Sequence, residues 1–450
     1  MLPMSFWRSL GSVGVLLVAQ RGLAADNLAF RGNLSWINAF GHLAPEDANR
    51  LNSDNTLLRI PHYSFISDIR PNLKLSSSDF QIVARPKIVA EARQVKTAKR
   101  EAAGGQSAAD ARTEDTKGKV KSTINEAFVN WTVSDVVTFA YGRQSYQWGA
   151  AESANPSNRM FHETAQNRNA LYEIVGKDIA RVNFTLGKSF STVVMTEYQQ
   201  NKDEADFVAE EEFAPTGLVK SEFSWSGGTD YAGLVVGGRE KASGWVGEYF
   251  SMGVPFFDGL FFYADASHQR GGRSWYPVKS QASPFAEIIE MQQLKRDENK
   301  VQTFATAGLK FDFVSRTIIR TEYIHNDAEY SENQLKDFYE SLDDSNPAQL
   351  AVYESNLERF SANGNEFTGK RYGYVSLHVP DLISVRDLTF YSRAMRSMTD
   401  ESLNIYASFE YLLKNAGTVL FSGSANSGRK ESELRTTVAR SFLVGYRHNW

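Results

Sequence analysis

The sequence has no cysteine among its 450 residues. No disulfide can brace the fold and no thiolate can bind a metal or attack a substrate, so stability must come from backbone pairing and packing. Long apolar runs are also missing. The one candidate, Leu10 to Ala19, is well short of the roughly 20 residues that a helical membrane span needs. Histidine is sparse, with 7 scattered copies. His162-Glu163 and His325 with Asp327 are the only loose clusters, and neither has metal-ligand spacing. No nucleophile motif and no phosphate loop occurs. These absences predict a protein that is not an enzyme, with no metal, no cofactor and no nucleic-acid partner.

The N-terminus reads MLPMSFWRSLGSVGVLLVAQRGLAADN. Arg8 precedes the short apolar run, and Gly22-Leu23-Ala24 supplies small residues after it. This is the pattern of a secretory signal peptide over residues 1–24, cut after Ala24 or Ala25, which leaves 25–450 as the exported unit.

The bulk composition is that of a soluble protein. Mean hydropathy is −0.39, the net charge is −4 and 23% of residues are charged. Yet aromatics reach 12%, with 29 Phe and 19 Tyr. A transmembrane β-barrel reconciles these values. Only every second strand residue meets lipid, and closure of the sheet satisfies the backbone without disulfides.

Alternation supports this reading. In Pro61 to Leu75 the odd positions include Tyr63, Phe65, Ile69, Leu73 and Leu75, and the even ones include Asp68, Arg70 and Lys74. After the turn signal SSSD, Phe80, Ile82, Ile88 and Ala90 share one face, while Arg85, Lys87, Glu91 and Arg93 share the other. Pro71 and Pro86 interrupt these runs and mark bulges or ladder gaps. Similar segments lie near 27–40, 122–133, 136–149, 178–187, 190–200, 217–226, 230–239, 242–254, 258–269, 300–312, 315–327, 370–379, 384–397, 402–414, 417–428 and 433–450. That predicts an all-β, antiparallel up-and-down barrel of about 18 strands, an even number as single-chain bacterial barrels have.

The gaps between segments alternate in character. Gaps at 95–121, 150–177, 201–216, 270–299 and 328–369 are long and charged; those between them are tight, such as Ser134-Asp135 and Gly187 to Ser189. Short turns on one side and long loops on the other are the sidedness of an outer-membrane barrel, with periplasmic turns and extracellular loops. Segment 95–121 is low-complexity and reads as a disordered extracellular loop. Helical spacing appears in PFAEIIEMQQLKR (284–296), NQLKDFYESL (333–342) and AQLAVYESNLERF (348–360), so the 270–299 and 328–369 loops read as partly helical. They would either fold inward and narrow the lumen or cap the rim.

If the apolar parity faces lipid, the opposite parity lines the interior and leans basic. Arg70, Lys74, Arg85, Lys87 and Arg93 share one hairpin, Arg181 follows, and Arg316 and Arg320 form a second cluster. An eighteen-stranded barrel is too wide for side chains to fill, so these residues read as pore-lining in a wet lumen. A basic wall favours anionic solutes, unless Asp68, Glu91 and Glu322 neutralise it.

The last ten residues, SFLVGYRHNW, also alternate. Phe442, Val444, Tyr446 and Trp450 resemble the terminal signal that the barrel-assembly machinery reads in bacterial outer-membrane barrels, with His448 departing from the pattern. The hairpin INEAFVNWTVSDVVTFAYGRQSYQWG (124–149) contains Gly142-Arg143-Gln144 followed by Trp148-Gly149. It resembles a hairpin of alginate-export-like outer-membrane barrels. The resemblance implies an eighteen-strand channel with arginines in the pore, and carries over to Arg143 alone. Parity also changes near Gly142, which predicts a β-bulge turning Arg143 away from lipid.

Two functions fit this reading. One is a channel in the outer membrane of a diderm bacterium for passive passage of polar solutes or oligomers, anionic ones included. The other is a loop-plugged barrel acting as an anchor or receptor in an envelope complex. Both imply outer-membrane lipid and the assembly machinery as partners.

Overall fold

The computed structural model describes residues 28–46, 52, 55, 58–98, 112–161, 171–199, 215–239, 244–271, 275–283, 286–293, 300–342, 347–362, 367–414, 417–429, 431–435 and 437–450. The signal peptide and its cleavage point lie outside them.

Eighteen strands form the main sheet. They are β1 (Ala29–Pro45), β2 (Tyr63–Ser76), β3 (Phe80–Ala98), β4 (Arg112–Thr132), β5 (Val137–Gln144), β6 (Lys177–Leu186), β7 (Phe190–Gln199), β8 (Thr216–Trp225), β9 (Asp230–Arg239), β10 (Trp245–Gly253) and β11 (Leu260–Arg270). After a separate hairpin, β12 (Trp275–Ser283) and β13 (Ala286–Gln293), come β14 (Val301–Asp312), β15 (Ile318–Asn326), β16 (Arg371–Val379), β17 (Leu388–Ser397), β18 (Leu403–Leu413), β19 (Gly417–Ser427) and β20 (Val438–Asn449). Each barrel strand pairs antiparallel with its neighbours, and β20 pairs with both β19 and β1, from Ser35↔Asn449 to Ala44↔Arg440. The sheet is therefore closed and has no edge along that seam.

The eighteen alternating segments of the sequence are the eighteen barrel strands. Along β1, Phe30, Trp36 and Phe40 are exposed, and Ile37 and Ala39 are buried. The same inversion recurs in β20, where Phe442 and Val444 are exposed and Gly445 is buried. Large apolar side chains thus cover the outside, a belt suited to lipid. The two glycine-rich segments form β9 and β10. Their parity is unclear in the sequence because the inward rings of Tyr249 and Trp245 lie across Gly233 and Gly237, where a Cβ would stand 2.1 and 2.3 Å from ring carbons. Aromatic cover over a strand glycine restores the packing that its missing side chain gives up.

The connections 77–79, 133–136, 187–189, 226–229, 254–259, 313–317 and 380–387 lie at one end; the other end holds the long connections together with the short turn 398–402 between β17 and β18. Pro71 and Pro86 face each other in a gap of the β2–β3 ladder, between Ile69↔Ile88 and Leu73↔Ala84. Beside them Asn125 is an extra residue in β4, where pairing steps from Arg85↔Glu126 to Pro86↔Ile124.

Two expectations need correction. The 95–121 segment is not a loop throughout: β3 runs to Ala98 and β4 starts at Arg112, paired Ala98↔Arg112, while 99–111 lie outside the described residues. Within the stretch 284–296, the described residues 286–293 are not helical: they form β13 against β12. Tertiary contacts outweigh its helical spacing. Helix α1 (Glu332–Glu340), capped by Ser331 with Gln334, and helix α2 (Pro347–Ala362) pack on this hairpin. Gln349 of α2 takes the Ile289 N–H at 2.8 Å and donates to the Ile289 carbonyl at 2.8 Å, and Asn356 takes the Met291 N–H at 2.8 Å. The helix side chains thus stand in for a third strand. Tyr276, Met291, Tyr330, Leu335, Phe338 and Leu357 bury one another between these elements, so the two long loops form a unit with its own core.

Candidate functional site

Among the described residues, the β5–β6 connection enters the lumen. It leaves β5 after Gln144, and its first contact is with β4: the Ser145 N–H and hydroxyl donate to Glu126 at 3.1 and 2.5 Å. Trp148, Met160 and Phe161 then pack on Ile179, Val193, Leu218, Val235 and Trp245, the inward residues of β6 to β10. This fills that side of the lumen with apolar side chains.

Two buried carboxylates on the far strands hold the loop backbone. Asp265 of β11 accepts the Ser157 N–H at 2.6 Å and its hydroxyl at 3.0 Å. Glu322 of β15 accepts the N–H groups of Glu152 and Ser153 at 2.7 and 2.8 Å, the Ser153 hydroxyl, and the Tyr263 hydroxyl at 2.7 Å. A buried carboxylate is tolerable when its lone pairs are taken in this way.

Glu152 itself projects onward. Its carboxylate accepts from Arg320 of β15 at 2.8 Å, Ser376 of β16 at 2.8 Å and Tyr391 of β17 at 2.7 Å. In the ring of eighteen, β5 is fifth and β16 fourteenth, so the loop crosses to the wall directly opposite its origin. Ala154 is buried there among Ile324, Tyr372, Tyr374 and Met395.

The returning leg lies against β2 and β3. Arg70 donates to the Leu171 carbonyl at 2.6 Å. Glu173 approaches Arg70 at 3.4 Å and Lys87 at 3.8 Å, and both cations also meet Asp68, at 2.6 and 3.5 Å. Between the two legs is an open cavity of about 560 Å³, lined in part by Trp148, Asn155, Tyr172 and Glu173.

The wall of β1 to β3 carries the basic side chains read from the sequence. Arg31 stands directly opposite Lys74 in the β1–β2 register, and among the described residues neither forms an ion pair. Like charges at facing positions destabilise a sheet unless something answers them. Arg85 pairs with Glu126 at 2.7 Å, and Arg93, half-exposed, with Glu91 at 2.5 Å. Arg320 shares the inward parity of Glu322 but is held by Glu152. Arg181 lies over the Tyr146 ring, 4.5 Å from its centroid.

Arg143 and Arg316 do not belong with this wall. The β4–β5–β6 ladder runs without a shift through Phe128↔Gly142↔Ile179, so no bulge turns Arg143. It keeps the parity of the exposed Tyr141, and Asp178 pairs with it at 2.9 Å. The bulge is across the ladder at Asn125. Arg316 is exposed in the β14–β15 turn with φ 66, because β14 ends at Asp312.

Sequence reasoning missed Glu152, Asp265, Glu173 and Tyr391. The only signal was AAESANPSN after Trp148-Gly149, whose small residues are unusual for a charged surface loop and suit close packing. The 270–299 and 328–369 loops read from the sequence as either entering the lumen or capping the rim; among the described residues, 145–161 crosses the lumen, and the described parts of those two loops pack on one another.

The assembly-signal residues line the closing seam. Trp450 stacks on Trp36 of β1, with centroids 6.3 Å apart, and meets His448 in a tilted contact at 4.1 Å. His448 also meets Tyr446, whose hydroxyl is 3.1 Å from Nδ1. The histidine therefore continues an outward aromatic row instead of interrupting it.

A closed antiparallel barrel of eighteen strands with an apolar exterior and a loop through its lumen is the architecture of outer-membrane channels. Solved structures with the same fold include Pseudomonas aeruginosa OccK7 (OpdD), with TM-score 0.55, 10% identity, and coverage of 95% of this chain and 100% of that one. Acinetobacter baumannii OccAB1 gives 0.54 and 9%, covering 96% and 98%. Pseudomonas aeruginosa OccK2 (OpdF), solved in complex with glucuronate, gives 0.52 and 8%, covering 93% and 97%. No family model matches the chain, and the search of curated proteins gave no match. None of these three structures is an alginate-export-like barrel, so that resemblance gains no support.

Proposed function

We propose that the protein is an outer-membrane channel for passive passage of small polar solutes, with a preference for anions, and that it is not an enzyme. The observation that carries this is the β1–β3 wall. Arg31, Arg70, Lys74, Arg85 and Lys87 face the interior against three carboxylates, Asp68, Glu126 and Glu173. A lumen wall with surplus positive charge raises the local concentration of anions. The facing pair Arg31 and Lys74 is the part of the wall that no described carboxylate answers. Glucuronate, the ligand of the OccK2 complex, is itself an anion. Short turns would face the periplasm and the long loops the exterior. The terminal row Phe442, Val444, Tyr446 and Trp450 would serve as the recognition element for the assembly machinery.

A second reading follows from the loop that crosses the whole diameter: a barrel closed by its own loop, acting as an anchor or receptor. Conductance of the purified protein in planar bilayers separates the two. Steady ohmic steps with an anion-selective reversal potential in a KCl gradient support the channel. Silence across salts and voltages supports the closed barrel. Open steps without anion preference leave the channel and remove the anion assignment.

A further inference from the structure

The turn-side end of the barrel is not uniform. Three consecutive turns there carry large apolar side chains at their tips: 254–259 between β10 and β11, 313–317 between β14 and β15, and 380–387 between β16 and β17. Phe256 is 102% exposed, Val314 106% and Ile383 85%. The turns at 77–79, 187–189 and 226–229 are built of Ser, Asp, Gly, Lys and Thr.

The backbone sharpens the contrast. Gly187 and Gly227 take the positive φ of their turns, 66° and 72°, and a Cβ at either would meet nothing within 4 Å. Glycine is there for conformation. In the apolar arc the same region of φ is occupied by Phe256 (φ 70) and Ile383 (φ 53). A β-branched or aromatic residue is disfavoured there, and glycine would be easier. These two turns keep a bulky side chain at a backbone cost, although that side chain is almost wholly exposed. Strain held without an internal contact points to an external one.

Charge does not define the partner. The arc holds Asp258, Asp381 and Asp387 beside Arg316 and Arg386, a near balance. What it does have is continuity with the outer apolar face. Leu309 and Phe313 follow the outward parity of β14 to Val314, with Phe311 and Phe313 in edge contact at 4.5 Å, and Met252 leads down β10 towards Phe256. We propose that the β10–β17 side is set deeper than the rest, and that these three turns insert into the phospholipid leaflet at the turn-side end. The barrel then stands tilted, its turn-side rim buried in lipid on one side and water-exposed on the other.

The absence of native cysteine allows single nitroxide labels. Phe256→Cys, Val314→Cys and Ile383→Cys, with Ser78→Cys and Lys188→Cys as polar-turn references, would be labelled and reconstituted in phosphatidylethanolamine/phosphatidylglycerol liposomes at high dilution. Only preparations that give a heat-modifiable folded band would be measured. Collision with oxygen is expected to be several-fold higher, and with a water-soluble nickel chelate several-fold lower, at the three arc positions than at the references. Equal nickel accessibility at all five positions overturns the proposal. So does protection that appears only in native membranes, which would indicate a periplasmic protein, or only at high protein density, which would indicate a second copy. The inference rests on the barrel's residence in a membrane. Failure of every variant and of the parent to enter liposomes folded defeats that reading, whereas a folded barrel with wet arc positions defeats this inference alone.

Discussion

Trp450 and Leu34 exchange both backbone hydrogen bonds across the closing seam: the Trp450 N–H donates to the Leu34 carbonyl at 2.9 Å, and the Leu34 N–H donates to the Trp450 carbonyl at 3.2 Å. The Trp450 ring stacks on Trp36 of the same strand. Removing the residue therefore takes away the last backbone pair of the β1–β20 seam and strips one ring from an exposed aromatic row. Deletion of Trp450 should lower the fraction of protein recovered as a heat-modifiable band from outer membranes. Phe442→Asp should act in the same direction, because it sets a charge on the exposed face beside Phe40. Unchanged folded yield for both would contradict the role given to this seam.

Lys87 lies between Asp68 and Glu173 beside Arg70, so its charge is part of what balances these two inward carboxylates. Arg85→Glu with Lys87→Glu should move the reversal potential in a KCl gradient toward cation preference. The shift should fade at molar salt, where the screening length is about 3 Å. An open pore whose reversal potential stays fixed at low salt would show that these side chains lie outside the conduction path.

Glu152 ties the loop to three strands of the opposite wall. Glu152→Gln removes the charge that Arg320 answers, and hydrogen bonds to charged groups are worth about 1.5–3 kcal/mol each. The loop tip should loosen, which would appear as larger and noisier single-channel steps from protein that still shows the folded band. Identical conductance and noise would mean that Glu322 and Asp265 hold the loop by themselves.

Glu433, in the connection between β19 and β20, is partly buried. It accepts from the Tyr372 hydroxyl and from the N–H groups of Thr368 and Gly369, at 2.8 and 3.3 Å. Burial pushes its carboxyl up to about 7, against the lowering effect of these donors, and Asp400 adds to the rise. A raised carboxyl binds its proton more tightly folded than unfolded. Its contribution is therefore complete below about pH 4.5 and is lost as pH climbs towards 7, about 3 kcal/mol over that window. Amide exchange at Thr368 and Gly369 should be slower at pH 5 than at pH 8 after correction for intrinsic rates. Glu433→Gln should remove the difference; a pH effect that persists in this variant would assign it to another group.

The sequence by itself determined the number of barrel strands, the inward and outward faces of most of them, and the two kinds of connection. A strand's period of two is local, and an apolar side chain opposite a charged one is recorded within a few residues, as in Phe65 and Asp68 or Phe80 and Arg85. The identity of the loop in the lumen, and the partners of the inward charges, came only from closure. Glu152 meets Arg320, Ser376 and Tyr391 across 168, 224 and 239 residues, and no local pattern encodes a contact made by bending eighteen strands into a ring. The same holds for Arg143. Its face depended on whether the extra residue stood at Gly142 or across the ladder at Asn125, and that is a property of the pairing between strands, which alternation along one strand does not contain.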